Sequence, residues 1–310
     1  MRYFKNIIVL VLLLLLTSPS FAAEKITIAS WNIQNFGKSK VESDSKIAII
    51  AEVLSRYDII AVQEISNVYE KSDEGCPRNE NSCPGHKSCD LIQNALKKHL
   101  SQKSNKDYAF IFSPHVKDER YLFIYDKKKI EAITEGDLVI DKGDSPNIPI
   151  CDAKSKGDMV RQPFYVTFMA GDFTFTLVTA HTSPDRNIAE LEALEQYYRD
   201  VQNKDSENKD VILLGDLNAA CKYLPKNKSI ALKKPKYTWV MADTDDSTIR
   251  KTTTCAYDRI IFTKATKEDY TGEHGVFRFD EELGITNSTA LKISDHYPVW
   301  AEFYTDKDTD

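Results

Sequence analysis

Apolar residues recur along this chain with two spacings, one suited to strands and one to helices. Alternating or short continuous apolar stretches predict strands over Lys25–Asn32, Asp58–Glu64, Tyr108–Phe112, Tyr121–Tyr125, Phe164–Met169, Phe173–Ala180, Asp210–Gly215, Asp258–Phe262 and Tyr297–Tyr304. A helical spacing predicts Ser45–Arg56, with Ile47, Ile50, Ala51 and Leu54 on one face, and Ser88–Leu100, with Leu91, Ile92, Ala95 and Leu96. A third helix is predicted over Asn187–Gln202, striped by Leu191, Leu194, Tyr198 and Val201. These stripes are core faces. Strands outnumber helices, and some follow one another without a helix between them. The expected class is α/β (α+β), with mixed sheets packed together rather than one parallel sheet.

The N-terminal pattern is different. Arg2 and Lys5 precede the apolar run Ile7 to Leu16, and Ser20-Phe21-Ala22 supplies small residues. Residues 1–22 therefore read as a secretory signal peptide; the run is short for a membrane anchor. About 285 residues remain at 23–310, enough for a single large catalytic domain with a substantial core. No glycine- or proline-rich linker divides them. Loss of Arg2 and Lys5 takes the net charge from −6 to −8. So acidic a chain meets a polyanion only through a local basic patch or a bound cation. Lys222, Lys226, Lys228, Lys233, Lys234 and Lys236 form one such cluster, which reads equally as a solvated loop.

Six cysteines in an exported chain point to disulfides. Cys76, Cys83 and Cys89 crowd one polar stretch, with Cys151 distant. Zinc is the competing reading for the crowded three, but their irregular spacing and an oxidising compartment favour disulfides.

Five polar segments end or interrupt the apolar runs: Trp31-Asn32-Ile33-Gln34-Asn35, Gln63-Glu64-Ile65, Ala180-His181-Thr182, Gly215-Asp216-Leu217-Asn218 and Ser294-Asp295-His296-Tyr297. Charged groups are costly in a core unless paired or bound to metal, and strand ends are where open α/β sheets gather a site. Glu64 and Asp295 are hard oxygen ligands suited to magnesium or manganese, and Asn32 completes that shell without adding charge. Asp216 suits proton abstraction from water, with Asn218 holding the water or a phosphate oxygen. His181 and His296 suit donation to phosphate near neutral pH. Singly, each has a bland alternative: Asn32 and Asn218 as turn caps, His296 as a structural histidine, Asp258-Arg259 as an internal ion pair.

The ordered set is more specific than its parts. Trp31-Asn32-Ile33, Gln63-Glu64, Gly215-Asp216-Leu217-Asn218 and Ser294-Asp295-His296 resemble the endonuclease/exonuclease/phosphatase superfamily. Glu119-Arg120-Tyr121-Leu122-Phe123, Thr182-Ser183-Pro184, Asn218-Ala219-Ala220-Cys221, Cys255-Ala256-Tyr257-Asp258-Arg259-Ile260 and Ser294-Asp295-His296-Tyr297-Pro298 narrow the resemblance to the deoxyribonuclease I family, across nearly the whole mature chain. The resemblance implies a four-layer sandwich of two mixed sheets with helices outside. It implies a secreted, monomeric endonuclease acting on DNA with little sequence specificity, dependent on a divalent cation and leaving 5′-phosphate and 3′-hydroxyl ends. It pairs Glu119 with His181, Asp258 with His296 and Cys221 with Cys255, and it makes Arg161, Thr253 and Tyr257 phosphate- or DNA-facing.

Departures from the family are equally definite. Gln34, Ser66 and Lys117 stand where relatives read the minor groove with arginine and tyrosine. Val68 to Ser88 looks like an insertion near Glu64. Asp243, Asp245 and Asp246 match a structural calcium loop only in part, since Ile249 and Lys251 replace polar residues. Two other functions fit the scaffold: a phospholipid phosphodiesterase or phosphatase of the same superfamily, and a non-catalytic binding module. The first calls for an exposed aromatic hairpin, and the second for losses among Glu64, His181, Asp216 and His296; neither is found.

Overall fold

The computed structural model describes residues 24–66, 87–117, 119–138 and 159–308. Residues 1–22, read as a signal peptide, and Cys76, Cys83, Cys151 and nearly all of the Val68 to Ser88 segment lie outside the described residues. In chain order the strands are β1 (Lys25–Phe36), β2 (Ile59–Ser66), β3 (Tyr108–Phe112), β4 (Glu119–Asp126), β5 (Glu131–Ala132), β6 (Asp137–Leu138), β7 (Phe164–Ala170), β8 (Phe173–His181), β9 (Val211–Asp216), β10 (Tyr237–Trp239), β11 (Asp258–Thr263), β12 (Tyr270–Val276) and β13 (Val299–Tyr304). The first helices are α1 (Lys38–Val41), α2 (Asp44–Leu54), α3 (Lys87–Leu100) and α4 (Asn187–Lys204).

One sheet has the order β12-β13-β1-β2-β4-β3, and the other β10-β11-β9-β8-β7-β5 with β6 also on β7. Both are mixed: β1–β2 and β8–β9 are parallel, and the remaining pairs antiparallel. Strand alternation sends successive side chains to opposite faces, so each sheet has two apolar faces to cover. Three core clusters do this. Ala29, Trp31, Ile60 and Val62 pack with Ile47, Ile50, Ile92 and Leu96 of α2 and α3. Ile28, Ala61, Phe123, Phe168, Phe175, Leu214 and Ile260 fill the space between the sheets. Val178, Leu213 and Ile261 pack with Leu191, Leu194 and Tyr198 of α4. Helix, sheet, sheet and helix make the four layers, and the layering follows directly from the period-two apolar pattern.

The strand expected from Tyr297 begins at Val299 instead. Pro298 has no N–H to give the ladder, and Tyr297 N donates to Ser247 O at 2.7 Å. The β12 strand was not expected, because Tyr-Thr-Gly-Glu-His-Gly-Val carries two glycines and little apolar character at a sheet edge. The three helices run as the spacing predicts, within two residues at their ends.

Candidate active site

The interior between the sheets turns polar at one end. Positions facing the partner sheet run Ile26, Ile28, Ser30, Asn32 on β1 and Ile59, Ala61, Gln63 on β2. They run Phe175, Leu177, Thr179, His181 on β8 and Ile212, Leu214, Asp216 on β9. Antiparallel β4 and β11, read backwards, give Phe123, Tyr121, Glu119 and Phe262, Ile260, Asp258. Buried polar groups require partners, and here they find one another across the sheets. Gln63 Nε2 donates to Thr179 Oγ1 at 2.9 Å, and Asn32 Nδ2 to Asp216 Oδ2 at 3.1 Å.

Asp216 is the hub. In the ladder its β8 neighbour is His181 and its β11 neighbour is Asp258. The residue before it must be glycine: Gly215 has φ +146°, and a Cβ there would lie 1.9 Å from Ala180 O. Without a side chain at 215, β8 and β9 close beside the site. Asp216 Oδ1 accepts from Asn218 N at 3.0 Å, while Oδ2 lies 3.7 Å from His181 Nε2 and 3.6 Å from His296 Nε2.

Each imidazole has its own carboxylate behind it. His181 Nδ1 is 3.0 Å from both oxygens of Glu119, and His296 Nδ1 is 2.7 Å from Asp258 Oδ2. Glu119 is further held by Arg161 Nε at 3.0 Å, and Asp258 by Ser247 Oγ at 2.6 Å. Since β13 starts only at Val299, the loop carrying His296 is tied down by other bonds. Ser294 Oγ donates to Asn32 O at 2.6 Å and accepts from His296 N at 3.0 Å, and Trp31 Nε1 donates to His296 O at 2.8 Å.

These contacts set the protonation states. Burial opposes a charge on His181, but Glu119 and then Asp216 outweigh it and raise the pKa above its ordinary value. At His296, burial is again outweighed, by Asp258 and Asp216, and the pKa rises well above the ordinary value. Burial would raise Asp216, yet His296, His181, the Asn218 N–H and Asn32 together lower it. Burial raises Asp258 against the pull of His296. We read that pair as imidazolium and carboxylate, because the ring places one N–H toward each of two carboxylates. The raised imidazoles and the lowered Asp216 favour one ionised carboxylate between two imidazolium rings.

Glu64, Asn32 and Asp295 border this hub. Glu64 sits at φ +61°, where the β2 register slips against β4. Its Oε1 accepts from Asn32 Nδ2 at 2.9 Å and its Oε2 from Asn35 N at 2.8 Å. Asp295 Oδ2 is 3.5 Å from Arg250, and both Glu64 and Asp295 act on the buried Lys40 ammonium, which burial lowers to about 8 against their pull. Two half-buried carboxylates and a neutral amide are the donor chemistry a magnesium or manganese ion takes. Asp216, Asp258 and His296 also lie within 4.8 Å of one another. With the His296 pKa raised by Asp258 and Asp216, that trio also suits proton transfer.

The Endonuclease/Exonuclease/phosphatase family matches residues 29–296. The chain belongs to this family. Its similarity to deoxyribonuclease gamma of Rattus norvegicus is 30% identity over 299 residues, covering 93% of this chain and 87% of that protein. Similarity to deoxyribonuclease-1 of Homo sapiens is 30% over 296 residues, covering 93% and 95%. Among solved structures, humanized D. rerio TDP2 aligns with a TM-score of 0.57 at 14% identity, over 91% of this chain and 99% of that one. That likeness concerns the fold. The two-sheet family scaffold brings together Asn32, Glu64, Glu119, His181, Asp216, Asn218, Asp258 and His296, from both sheets, at one end of the inter-sheet core.

Asn218 belongs to this set through its backbone, and other expected residues stand further out. Asn218 gives its Nδ2 to Thr182 O at 2.9 Å, so its amide nitrogen is engaged inside the fold and its backbone N–H serves Asp216. Tyr257 places its ring 6.2 Å from the His296 ring and 5.5 Å from Tyr223, at the rim. Thr253 lies in the Arg250–Thr253 turn beside Asp295, with its N–H given to Arg250 O at 2.9 Å. Cys221 and Cys255 are joined, across 34 residues. Cys89 is also disulfide-bonded. The three candidate calcium aspartates have partners within the fold: Asp243 on Arg259 at 2.7 Å, Asp245 on Ala242 N at 2.7 Å, and Asp246 on Thr248 and Cys255 N. Ser247, Arg250 and Lys40 escaped the sequence reading, and Ser294 entered it only as part of its segment. Ser247 and Arg250 carry no local signal, with partners 11 and 45 residues away, and Lys40 serves backbone carbonyls six and seven residues before it that no side-chain pattern marks.

Proposed function

We propose that the protein is a divalent-metal-dependent endonuclease that hydrolyses DNA phosphodiester bonds with little sequence specificity, leaving 5′-phosphate and 3′-hydroxyl ends. The observation that carries this reading is the meeting of His181 Nε2 and His296 Nε2 on one Asp216 oxygen, each imidazole backed by a carboxylate. The relatives named deoxyribonuclease, spanning over nine-tenths of this chain, supply the substrate class. Magnesium or manganese bound by Glu64, Asp295 and Asn32 would neutralise the scissile phosphate and stabilise the charge that grows on it.

The chain's own residues do the proton work. Asp216 is held ionised and accepts the proton lost by the attacking water. The water oxygen bonds to phosphorus as the P–O3′ bond breaks. One imidazolium hydrogen-bonds a non-bridging oxygen, and the other delivers its Nε2 proton to the departing O3′. Glu119 and Asp258 keep both rings protonated and oriented. Arg161, Thr253 and Tyr257 border the route of the strand. Calcium, if bound, is structural. Residues 1–22 act as an export signal, and the mature chain works outside the cytoplasm as a monomer. Disulfide Cys221–Cys255 fits that compartment, and among the described residues no helix is long and apolar enough to cross a membrane.

Supercoiled plasmid DNA and sphingomyelin, each with magnesium and with a chelator, test the proposal. Plasmid nicking that stops with chelator, with sphingomyelin untouched, is expected. Cleavage of sphingomyelin alone would move the protein to the phospholipid branch of the family.

A further inference from the structure

Between Asn32 and Phe36, β1 leaves its register with β2, and the two residues at the break, Gln34 and Asn35, have φ of +32° and +54°. Consecutive non-glycine residues in the left-handed region persist only where the surroundings hold them. The holding group here is Lys40. It lies in the short helix α1, is only 6% exposed, and donates from Nζ to Ile33 O at 2.7 Å and to Gln34 O.

The other ends of the same two peptide groups face the candidate metal ligands. Gln34 N donates to Asn32 Oδ1 at 2.8 Å, and Asn35 N donates to Glu64 Oε2 at 2.8 Å. A trans peptide sends its carbonyl and its N–H in opposite directions. An ammonium on the carbonyl side therefore fixes where the N–H on the far side points, and polarises it toward the acceptor. The compact ammonium, with three donors, serves two neighbouring carbonyls at once; a planar guanidinium would not fit the same enclosed point.

We propose that Lys40 is a positioning residue for the metal site, orienting Asn32 and Glu64 through the two peptides Ile33–Gln34 and Gln34–Asn35. The inference rests on Glu64 and Asn32 being metal ligands. Lys40 gives no hydrogen bond to either; beside its through-space charge on Glu64, its hold on them passes through the backbone. A lysine that acted only by its charge would repel the cation, and its loss would tighten binding rather than weaken it.

Mn²⁺ binding to the DNA-free full chain, followed by loss of the free-ion electron paramagnetic resonance signal, tests this without relying on cleavage. Lys40→Met keeps much of the volume, ends one atom short of Nζ and donates nothing. It should weaken Mn²⁺ binding about 10- to 100-fold, the usual cost of losing a group that orients a ligand. Adding Gln34→Gly and Asn35→Gly should recover much of that loss, because glycine enters the left-handed region without a tether. Should Lys40→Met fail to fold, Lys40→Gln, with an uncharged amide on a shorter stem, is read in the same titration and should also weaken binding. Wild-type affinity in a folded Lys40 variant would overturn the assignment, as would a glycine pair that recovers nothing. A wild type that binds no Mn²⁺ would instead remove the metal-ligand reading of Glu64 and Asn32 on which this inference stands.

Discussion

His181 and His296 reach the same atom, Asp216 Oδ2, at 3.7 and 3.6 Å, one from a strand of the second sheet and the other from the loop leading into the first. Each ring is braced separately, by Glu119 and by Asp258, so neither can take over the other's place. His181→Ala and His296→Ala should each slow plasmid nicking by roughly 10²–10⁴-fold, the usual cost of losing a positioned acid or base. Nicking rates on folded variants check this. Near-normal rates in both would remove the histidines from the mechanism.

The pH behaviour follows from the direction of each shift. His181 is raised above its ordinary 6.5, so its contribution to stability is complete below pH 6.5 and is lost as pH rises through the raised folded value. Asp216 is lowered from its ordinary 3.8, so its contribution is present above pH 3.8 and is lost as pH falls through the lowered value. Glu119→Gln removes the strongest charge supporting the His181 imidazolium. The alkaline limb of the rate profile should move about one pH unit or more to lower pH. A limb that stays in place would separate Glu119 from His181 function.

Much of this arrangement was readable from residue order alone. Strands β1, β2, β4, β7, β8, β9 and β11 were expected because their two-residue period survives to the point where polar residues take over, and that switch marks the site. What could not be read depends on long-range contact. Ser247 serves Asp258 because an isolated loop residue happens to lie beneath it, and Ser294 serves Asn32 across 262 positions. The φ of +61° at Glu64 arises where β2 slips against β4, which composition does not announce. Thr253 and Tyr257, expected to face the phosphates or DNA, lie near the Cys221–Cys255 link, Thr253 in the turn from Arg250 and Tyr257 beside the His296 ring.

That disulfide closes a loop of 34 residues. The chain-entropy estimate for a loop of this length is roughly 4 kcal/mol. Cys221→Ser with Cys255→Ser should lower the chemical-denaturation stability by about that amount, or less if the unfolded chain keeps structure. Non-reducing peptide mapping should recover Cys221 joined to Cys255, and Cys221 found on any other cysteine would reject the pairing.

Lys226, Lys228 and Lys234 are exposed, Lys233 is half-buried against Trp239, and Lys222 lies over Tyr223, whose ring meets Tyr257 at the rim. The cluster thus begins at the cleft edge. With Gln34, Ser66 and Lys117 at the groove-reading positions, these lysines are expected to carry part of the DNA contact. Each neutralised phosphate adds about 0.9 to the salt slope of binding. Replacing Lys226, Lys228, Lys233 and Lys234 with glutamine should flatten the salt dependence of cleavage and raise KM at unchanged metal affinity. An unaltered slope would place the DNA on Arg120, Arg161 and the segment Val68 to Ser88.

The most direct test of the mechanism is the single-turnover cleavage rate of a short duplex by Asp216→Asn at saturating magnesium. Asparagine keeps the size and the contact to the Asn218 N–H but cannot take a proton or draw two imidazoliums together. The account predicts a folded protein whose rate falls by at least about 10³-fold. A folded variant cleaving within tenfold of the wild type would contradict it, because the atom on which both histidines converge would then have no part in the chemistry.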